Sequence, residues 1–166
     1  MNTVYAAADA KKITALVGLN ISAAFDTIDH NVLASRLESQ FGVVGGASSW
    51  LQSYLRGRQQ FVHLNRHSSS RPSTTGVPQG SVLGPLLFTA YVSAVGELIE
   101  SYGVSYHQFA DDVQLLISMD STNATPAIDR LAHCSAAVRL WFLQNGLQLN
   151  ADKSEMVLLG TPAQLR

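Results

Sequence analysis

The feature that most constrains the fold is the stretch VSYHQFADDVQLLIS at residues 104–118. Two apolar, strand-like halves flank Ala110, Asp111 and Asp112, which predicts a tight β-hairpin with carboxylates at its tip. Successive strand residues point to opposite faces, so at least one carboxylate must face away from the apolar layer. Paired aspartates near a third oxygen ligand suit octahedral magnesium. Aspartate is also a common turn residue, so a plain hairpin turn remains the alternative for this pair taken alone.

Length and composition predict one folded domain spanning residues 1–166, because the chain is 46% apolar and 14% charged and is long enough to bury a core. No apolar run reaches the roughly 18 residues of a membrane span, and the first residues lack the basic-then-apolar order of a signal peptide. We therefore expect an intracellular protein that does not contact a membrane, in either the nucleus or the cytoplasm. The single cysteine, Cys134, is expected in a helix core.

The charge pattern gives a mixed indication about nucleic acid. The formal net charge is −1, whereas proteins that bind a phosphate backbone usually carry a basic surplus. One segment nevertheless concentrates positive residues, and a local binding patch and a solvated loop both explain it. Its members are Arg56, Arg58, Arg66, His67 and Arg71.

Hydrophobic periodicity and turn residues predict short strands followed by helices packed on one side, an α+β sandwich. Asp29 or Asn31 is expected to cap the second helix, and Gly42 to end it. Trp50 is expected to face inward with its helical neighbours Leu51, Tyr54 and Leu55. The predicted helices cover residues 2–11, 29–42, 48–56, 85–98 and 126–144. Strands are predicted at 13–19, in the two arms of the hairpin, and as two short strands after Gly146. A further ribbon is predicted to leave at 59–65 and return toward Gly76, with residues 65–76 expected to form a loop.

The segment GLNISAAFDTID at residues 18–29 has the apolar approach, small-residue turn and carboxylates typical of a catalytic corner between a strand and a helix. The predicted strand ends at Asn20, a position where an enzyme of this kind would need an acid.

Four segments in order, ISAAFDTIDH, GVPQGSVLGPLLF, FADDVQLL and NGLQLNADKSEMVLLGT, strongly resemble the palm of reverse transcriptases from non-LTR (LINE-type) retrotransposons. The resemblance covers nearly the whole chain. It implies a ferredoxin-like palm, in which a small antiparallel sheet backed by helices holds Mg²⁺ (or Mn²⁺) for DNA synthesis on an RNA template.

The resemblance assigns metal and catalytic roles residue by residue. Asp111 matches the main metal ligand and Asp112 the assisting one, and Ile21 falls at a further metal-ligand position. Lys153 matches a lysine proposed to stabilise or protonate the leaving pyrophosphate; a solvated lysine at a strand start is the alternative.

The resemblance also assigns contacts to the substrates. Phe25 matches an aromatic gate that excludes a 2′-OH and so selects deoxynucleotides, although it also suits a core position at a helix start. Gln79 matches a residue that contacts the incoming nucleotide and the template. Phe109 stands where the family usually has Tyr, and it keeps the ring for packing against primer or sheet. The remaining positions are Ser22, Ala23 and Ala24 for nucleotide, and Gly76 and Gly80 for close backbone approach to template and primer.

Asn20 departs from the family pattern, which has an aspartate that bridges both metal ions. An amide offers one neutral carbonyl oxygen and cannot bridge two cations. Metal-centred charge stabilisation is worth several kcal/mol, so we expect a loss of roughly a hundredfold to ten-thousandfold in rate. Asp26 is expected to point elsewhere and, with Asp29, to cap the next helix.

The family's basic fingers region and helical thumb have no counterpart in this sequence. We therefore expect exposed apolar surface, weak binding of RNA template, DNA primer and deoxynucleotides, and a homodimer. Two functions stay open: the impaired palm core of an RNA-directed DNA polymerase, and a non-catalytic or domesticated remnant that acts as a protein-interaction or weak nucleic-acid-binding module.

Overall fold

The computed structural model describes residues 2–65 and 67–165. The chain forms two compact units, the first from residues 1–22 and 93–166 and the second from residues 23–92. The assignment of a single domain stays a prediction. In chain order the elements are α1 (Asn2–Asp9), β1 (Ile13–Ser22), α2 (His30–Phe41), α3 (Gly45–Leu55), β2 (Gln59–Leu64), β3 (His67–Pro72), α4 (Gly84–Val92), α5 (Val95–Ser101), β4 (Ser105–Phe109), β5 (Asp112–Met119), α6 (Thr125–Gln144) and β6 (Gln148–Leu159).

The first unit is built around a four-stranded sheet with the order β4-β5-β1-β6. Every neighbouring pair is antiparallel. Because α5 precedes β4 and α6 connects β5 to β6, the unit follows the β-α-β-β-α-β order of ferredoxin-like folds. The predicted α+β class, with a small antiparallel sheet packed on helices, is confirmed.

One face of this sheet forms the core of the first unit. Leu19 pairs with Val113 and Ala15 with Ile117, and all four side chains are buried. Helix α6 contacts β5 and β6 and packs on α5, and it turns a buried stripe inward, consisting of Ala127, Leu131, Cys134, Val138 and Phe142. The predicted helix-core position of Cys134 is confirmed, and burial raises the pKa of its thiol.

The second unit begins with α2, whose ends follow from its sequence. The Asp29 carboxylate caps the helix by accepting hydrogen bonds from the backbone N–H groups of Asn31, at 2.8 Å, and Val32, at 3.0 Å. At the other end Gly42 adopts a left-handed conformation with φ 65°, which glycine adopts without strain. Both predicted ends are confirmed, and Asp29 rather than Asn31 is the cap.

Helices α2 and α4 pack together in the second unit. Arg36 on α2 donates a hydrogen bond to the backbone carbonyl of Tyr91 on α4, and its guanidinium lies 4.9 Å from the centre of the Tyr91 ring. Burial lowers the pKa of Arg36 and raises the pKa of the Tyr91 hydroxyl. This contact fixes the helix that follows the PQG segment.

Two predictions about strands in the first unit were wrong. Strand β1 continues past Asn20 to Ser22 because Asn20, Ile21 and Ser22 pair with residues 148–150 of β6. The two short strands predicted at the end of the sequence are one strand, β6, whose pairing shifts register between Gly18 and Asn20.

The chain differs from prediction in three further places. The serines predicted to form a turn lie in β3, since residues 67–72 pair with 59–64; Arg66 lies outside the described residues. Helix α3 begins at Gly45, and Trp50, predicted to face inward, is 57% exposed. The long helix predicted after Pro85 ends at Val92, and α5 begins at Val95.

Edge strand β6 exposes a run of large apolar side chains, as expected for a fold with uncovered apolar surface. The run consists of Met156, Val157, Leu158 and Leu159. Among the described residues, none of the helices has the length and apolar character required to cross a bilayer.

We predict that Asp29→Ala lowers the free energy of unfolding by about 1 kcal/mol, because two helix N–H groups lose their acceptor. Urea unfolding followed by circular dichroism measures this change. Asp29→Asn is the matched control, since asparagine caps a helix about as well as aspartate does. Equal destabilisation by both substitutions would contradict the capping role.

Candidate functional site

The first unit brings Asn20 toward the acidic hairpin through strand register. Leu19 pairs with Val113, so the next residues along the two antiparallel strands are Asn20 and Asp112. Because side chains alternate, both point away from the helix-covered face that contains Leu19 and Val113. Opposite residues of neighbouring antiparallel strands have Cα atoms about 4.5–5.5 Å apart. Asn20 and Asp112 are therefore cross-strand neighbours on the open face.

The acidic pair lies at the tip of the β4–β5 hairpin, as predicted. Phe109 pairs with Asp112, which leaves Ala110 and Asp111 as the two turn residues. Ala110 has a φ of 51°, the left-handed conformation that two-residue hairpin turns require at their first position. Asp111 is half-buried and Asp112 is exposed. Phe109 is 75% exposed, so its ring is free to pack against a ligand.

The other neighbour of Asn20 is Asn150 on β6. Between Asn150 and Glu155, which pairs with Gly18, residues 151–154 bulge out opposite Leu19. Ser154 holds this bulge: its hydroxyl donates to the Asn150 carbonyl at 2.7 Å and accepts from the Asn20 N–H at 3.3 Å. Lys153 is an exposed member of the bulge.

The oxygen ligands around Asn20 are sparse. Within residues 2–65 and 67–165, no group of three or more His, Cys, Asp or Glu side chains could hold a metal ion together. Asp112 and the neutral amide of Asn20 share the open face. Glu155 lies on that face beside Gly18, and Asp111 lies in the adjacent turn. Ile21 is 4% exposed, so its backbone carbonyl is the group it could offer to a cation.

The second unit pairs the segment after β1 with the segment before α4. Val77 N–H donates to the Phe25 carbonyl at 2.7 Å, and Gly76 N–H donates to the Ile28 carbonyl at 2.8 Å. His30 donates from Nε2 to the Gly76 carbonyl at 2.8 Å. Two distant motifs of the sequence are thereby held side by side.

Gly76 is required by this close approach. Its φ is 85°, and a Cβ atom there would lie 2.9 Å from the carbonyl oxygen of Asp26, closer than atoms pack without displacement. Gly80 also has a positive φ, 76°, but a Cβ atom there would meet no described atom within 4 Å. Gly76 thus allows its segment to pack directly on the backbone of Phe25 and Asp26, whereas the space beside Gly80 is open.

Gln79 is oriented by Asp26. Its Nε2 donates to both oxygens of the Asp26 carboxylate, each at 3.1 Å. The predicted capping role of Asp26 was wrong, because Asp29 occupies the cap and the Asp26 carboxylate accepts from Gln79 instead. No feature of the local sequence links these two positions, since 53 residues separate them.

Two cavities of the second unit share Pro78 and Gln79. One has a volume of about 360 Å³, and its lining includes Phe25, Gln79 and Gly80. The other has a volume of about 560 Å³, and its lining includes Gln79, Gly76, Asp26 and Arg58. These volumes are in the range of small-molecule sites. Phe25 is half-buried, and its ring packs on Phe88 with centroids 5.2 Å apart.

The sequence did not predict that Arg58 borders the cavity of about 560 Å³. Its Nε donates to the Tyr54 carbonyl at 2.7 Å, and its guanidinium lies 4.5 Å from the centre of the Tyr54 ring. Tyr54 in turn stacks on Trp50. The spacing of four residues between Trp50 and Tyr54, and again between Tyr54 and Arg58, was the sequence signal for these side-chain contacts.

The remaining predicted nucleotide contacts differ in what they can offer. Ser22 is half-buried at the end of β1 and Ala24 is buried. Ala23 has a φ of 49°, and its carbonyl accepts from the Asp26 N–H at 2.9 Å. Ala23 and Ala24 thus form the turn that precedes the Phe25 ring.

Comparison with known proteins decides the family. Residues 2–164 match the family described as reverse transcriptase (RNA-dependent DNA polymerase). The chain belongs to the reverse transcriptase family. It is 30% identical over 149 residues to the probable RNA-directed DNA polymerase from transposon BS of Drosophila melanogaster. The aligned region covers 82% of this chain and 16% of that protein.

Two further relatives carry the same resemblance to retrotransposon polymerases. The probable RNA-directed DNA polymerase from transposon X-element of Drosophila melanogaster is 30% identical over 162 residues, covering 93% of this chain and 17% of that protein. The Pol polyprotein from the type-1 retrotransposable element R2 of Popillia japonica is 28% identical over 156 residues, covering 87% and 21%. The predicted membership among non-LTR retrotransposon reverse transcriptases is confirmed, and this reverse transcriptase chain spans about a fifth or less of these relatives.

Solved structures share the fold. Apo telomerase from Candida tropicalis, truncated from its C-terminal domain, matches with a TM-score of 0.71 at 12% identity, covering 98% of this chain and 34% of that one. Telomerase from Candida albicans matches with a TM-score of 0.69 at 13% identity, covering 94% and 30%. At such low identity these likenesses concern the fold alone.

We predict that Gly76→Ala destabilises the protein more than Gly80→Ala does. Both substitutions place alanine at a positive φ, which costs about 1–2 kcal/mol. Gly76→Ala adds a clash with the Asp26 backbone, worth about a further 1–3 kcal/mol. Chemical unfolding of the two variants gives the difference directly. Equal losses would show that the 25–29 and 75–77 segments are not in close contact.

Proposed function

We propose that the chain is the palm core of an RNA-directed DNA polymerase of a retrotransposon, impaired in catalysis by Asn20. The observation that carries the proposal is the register of β1 against β5. Its last pair is Leu19 with Val113, so Asn20 and Asp112 follow as the next two residues in line. Family membership supplies the reaction class, and the register explains why one amide in that position matters.

The residues that would hold Mg²⁺ or Mn²⁺ are Asp111, Asp112 and Asn20. Carboxylate and amide oxygens are ligands that such hard cations accept, so the donor types fit the ion. Such ions, when bound, stabilise the charge that develops on the transferring phosphoryl group. Two carboxylates supply less charge than three, so we expect weak binding.

The cavity lined by Phe25, Gln79 and Gly80 is the proposed position of the incoming deoxynucleotide. Phe25 is fixed by its packing on Phe88, so its ring can exclude a 2′-OH on steric grounds. Asp26 holds the Gln79 amide at the wall of both cavities. The RNA template and DNA primer are the proposed macromolecular partners, with Phe109 offering an exposed ring to them and Lys153 a cation.

The impairment follows from charge at position 20. An amide at position 20 would offer a bound cation one neutral oxygen, whereas a carboxylate there would offer two oxygens and a negative charge. We expect a rate loss of roughly a hundredfold to ten-thousandfold, the equivalent of several kcal/mol.

A non-catalytic remnant is the second candidate function. The absence of a metal-holding group of three acidic or imidazole side chains among the described residues favours it. The exposed apolar run on β6 would then serve contact with a protein partner or with a second copy of the chain.

We predict that Asn20→Asp raises the affinity for Mn²⁺ by about tenfold or more, because a third carboxylate joins the donor set. Titration calorimetry measures this gain without requiring the chain to polymerise. Gln114→Glu is the matched control, since Gln114 is exposed, lies on the same face as Asp112, and pairs with Gly18 rather than with Asn20, so it adds the same charge at a neighbouring position.

Two outcomes would count against the proposal. An equal gain from Gln114→Glu would mean that general charge, not ligation, attracts the ion. Failure of Asp111→Asn to cancel the gain in the Asn20→Asp background would separate Asp111 from the site. In primer extension on an RNA template, Asn20→Asp is expected to exceed the unmodified chain by the factor given above; equal inactivity of both, without metal binding, favours the remnant.

A further inference from the structure

The contact between Asp26 and Gln79 decides which end of the Gln79 amide faces a ligand. Gln79 donates from Nε2 to both oxygens of the Asp26 carboxylate, each at 3.1 Å. An ionised carboxylate can only accept hydrogen bonds, so the reversed amide would set two acceptors against each other. The other end of the amide, Oε1, is thereby turned away from Asp26, and no group within residues 2–65 and 67–165 donates a hydrogen bond to it.

The amide and the carboxylate border different spaces. Gln79 lines both cavities of the second unit, whereas Asp26 lines the cavity of about 560 Å³ but not the cavity of about 360 Å³. The end of the amide turned away from Asp26 is therefore the end available to the smaller cavity. Both side chains are exposed, and an exposed charged contact adds little to stability. Its consequence is the orientation of the amide.

The backbone at Asp26 is held independently of the carboxylate. The Thr75 hydroxyl donates to the Asp26 carbonyl at 3.2 Å, and the Asp26 N–H donates to the Ala23 carbonyl at 2.9 Å. These contacts use main-chain atoms of Asp26, so an amide of the same shape in place of its carboxylate leaves them intact. The orientation of Gln79 can therefore be changed without changing the loop that carries Asp26.

We propose that Asp26 is a positioning residue, which turns Gln79 so that its Oε1 accepts a hydrogen bond from an N–H or O–H group of the nucleotide in the cavity of about 360 Å³. The inference rests on the proposed function, which places a deoxynucleotide in this cavity. It adds the polarity of the contact and the residue that sets it. The donor is either a sugar hydroxyl or an amino group of the base, since both present a hydrogen to an acceptor.

The substitution Asp26→Asn separates positioning from charge by the sign of its effect. Removing a carboxylate close to a triphosphate would by charge alone tighten binding. Positioning predicts the opposite, because an asparagine amide can pair with Gln79 in either orientation. We expect Asp26→Asn to weaken binding of dATP by about 2- to 10-fold, the effect of losing one oriented hydrogen bond. An NMR titration of the isotope-labelled full chain with dATP and Mg²⁺ measures this loss.

Two controls accompany this titration. Asp129→Asn removes the same charge from an exposed position on α6 and leaves dATP affinity unchanged. The ligand ddATP lacks the sugar hydroxyl: if Asp26→Asn weakens dATP but not ddATP, the sugar supplies the donor, and if both ligands lose affinity equally, the base supplies it. Either result supports the proposal.

An exchange of the two functional groups gives a second test. Gln79→Glu places two carboxylates side by side and is expected to weaken dATP binding. The double variant Asp26→Asn/Gln79→Glu is expected to recover affinity, because the asparagine amide donates to the glutamate, whose other oxygen replaces Oε1 as the acceptor. The double variant carries the same formal charge as the unmodified pair, so its recovery reports orientation.

Three results would overturn the proposal: equal or tighter dATP binding by Asp26→Asn, a double variant that binds no better than Gln79→Glu, or a loss of affinity in Asp26→Asn matched by a loss of stability in urea. The last would make Asp26 a structural residue. If any of these occurs while the unmodified chain binds dATP and Asn20→Asp gains metal affinity, the proposed function stands without the role of Asp26. Failure of the unmodified chain to bind dATP would count against the nucleotide cavity itself.

Discussion

The antiparallel pairing of β1 with strands on both sides is the constraint on which the first unit depends. Leu19 faces the core because it pairs with the buried Val113, and Asn20 therefore faces the open side. A slip of one residue would exchange these two positions and bury an amide where a leucine packs. The apolar core thus fixes the direction of the chemically important side chain.

In the second unit, loops rather than a sheet fix the positions of the predicted site residues. Backbone hydrogen bonds from Gly76 and Val77 to the 25–28 segment hold two motifs together, and the absence of a Cβ atom at Gly76 permits the approach. Gln79 then lies against Asp26 and borders two cavities. The segments that carry the predicted nucleotide contacts are therefore held together by main-chain hydrogen bonds. Such bonds tolerate most side-chain substitutions, but a side chain at Gly76 would block the approach of the two segments.

Local patterns predicted the parts of the fold that depend on local interactions. The Asp29 cap, the Gly42 end and the hairpin around Ala110 are short-range features, and all three are present. Predictions were wrong where strand pairing decides the structure. The serines of β3 form a strand because they pair with the preceding strand β2, and β1 extends to Ser22 because the distant strand β6 continues to pair with it. The contact between Asp26 and Gln79 has no local signal in the sequence. The candidate site residues were predicted from the resemblance to reverse transcriptases and not from spacing alone.

The position of Asn20 beside Asp112 is the central claim, and disulfide trapping tests it most directly. Directly opposite strand residues have Cβ atoms about 4.5–5.5 Å apart, a separation that a disulfide can bridge with little adjustment. The double variant Asn20→Cys/Asp112→Cys should lose two free thiols in a glutathione buffer and leave the buried Cys134 unreacted. Leu19→Cys/Asp112→Cys, whose side chains lie on opposite faces, should stay reduced. Equal cross-linking of the two variants, or cross-linking of the second alone, would contradict the register from which the account is built.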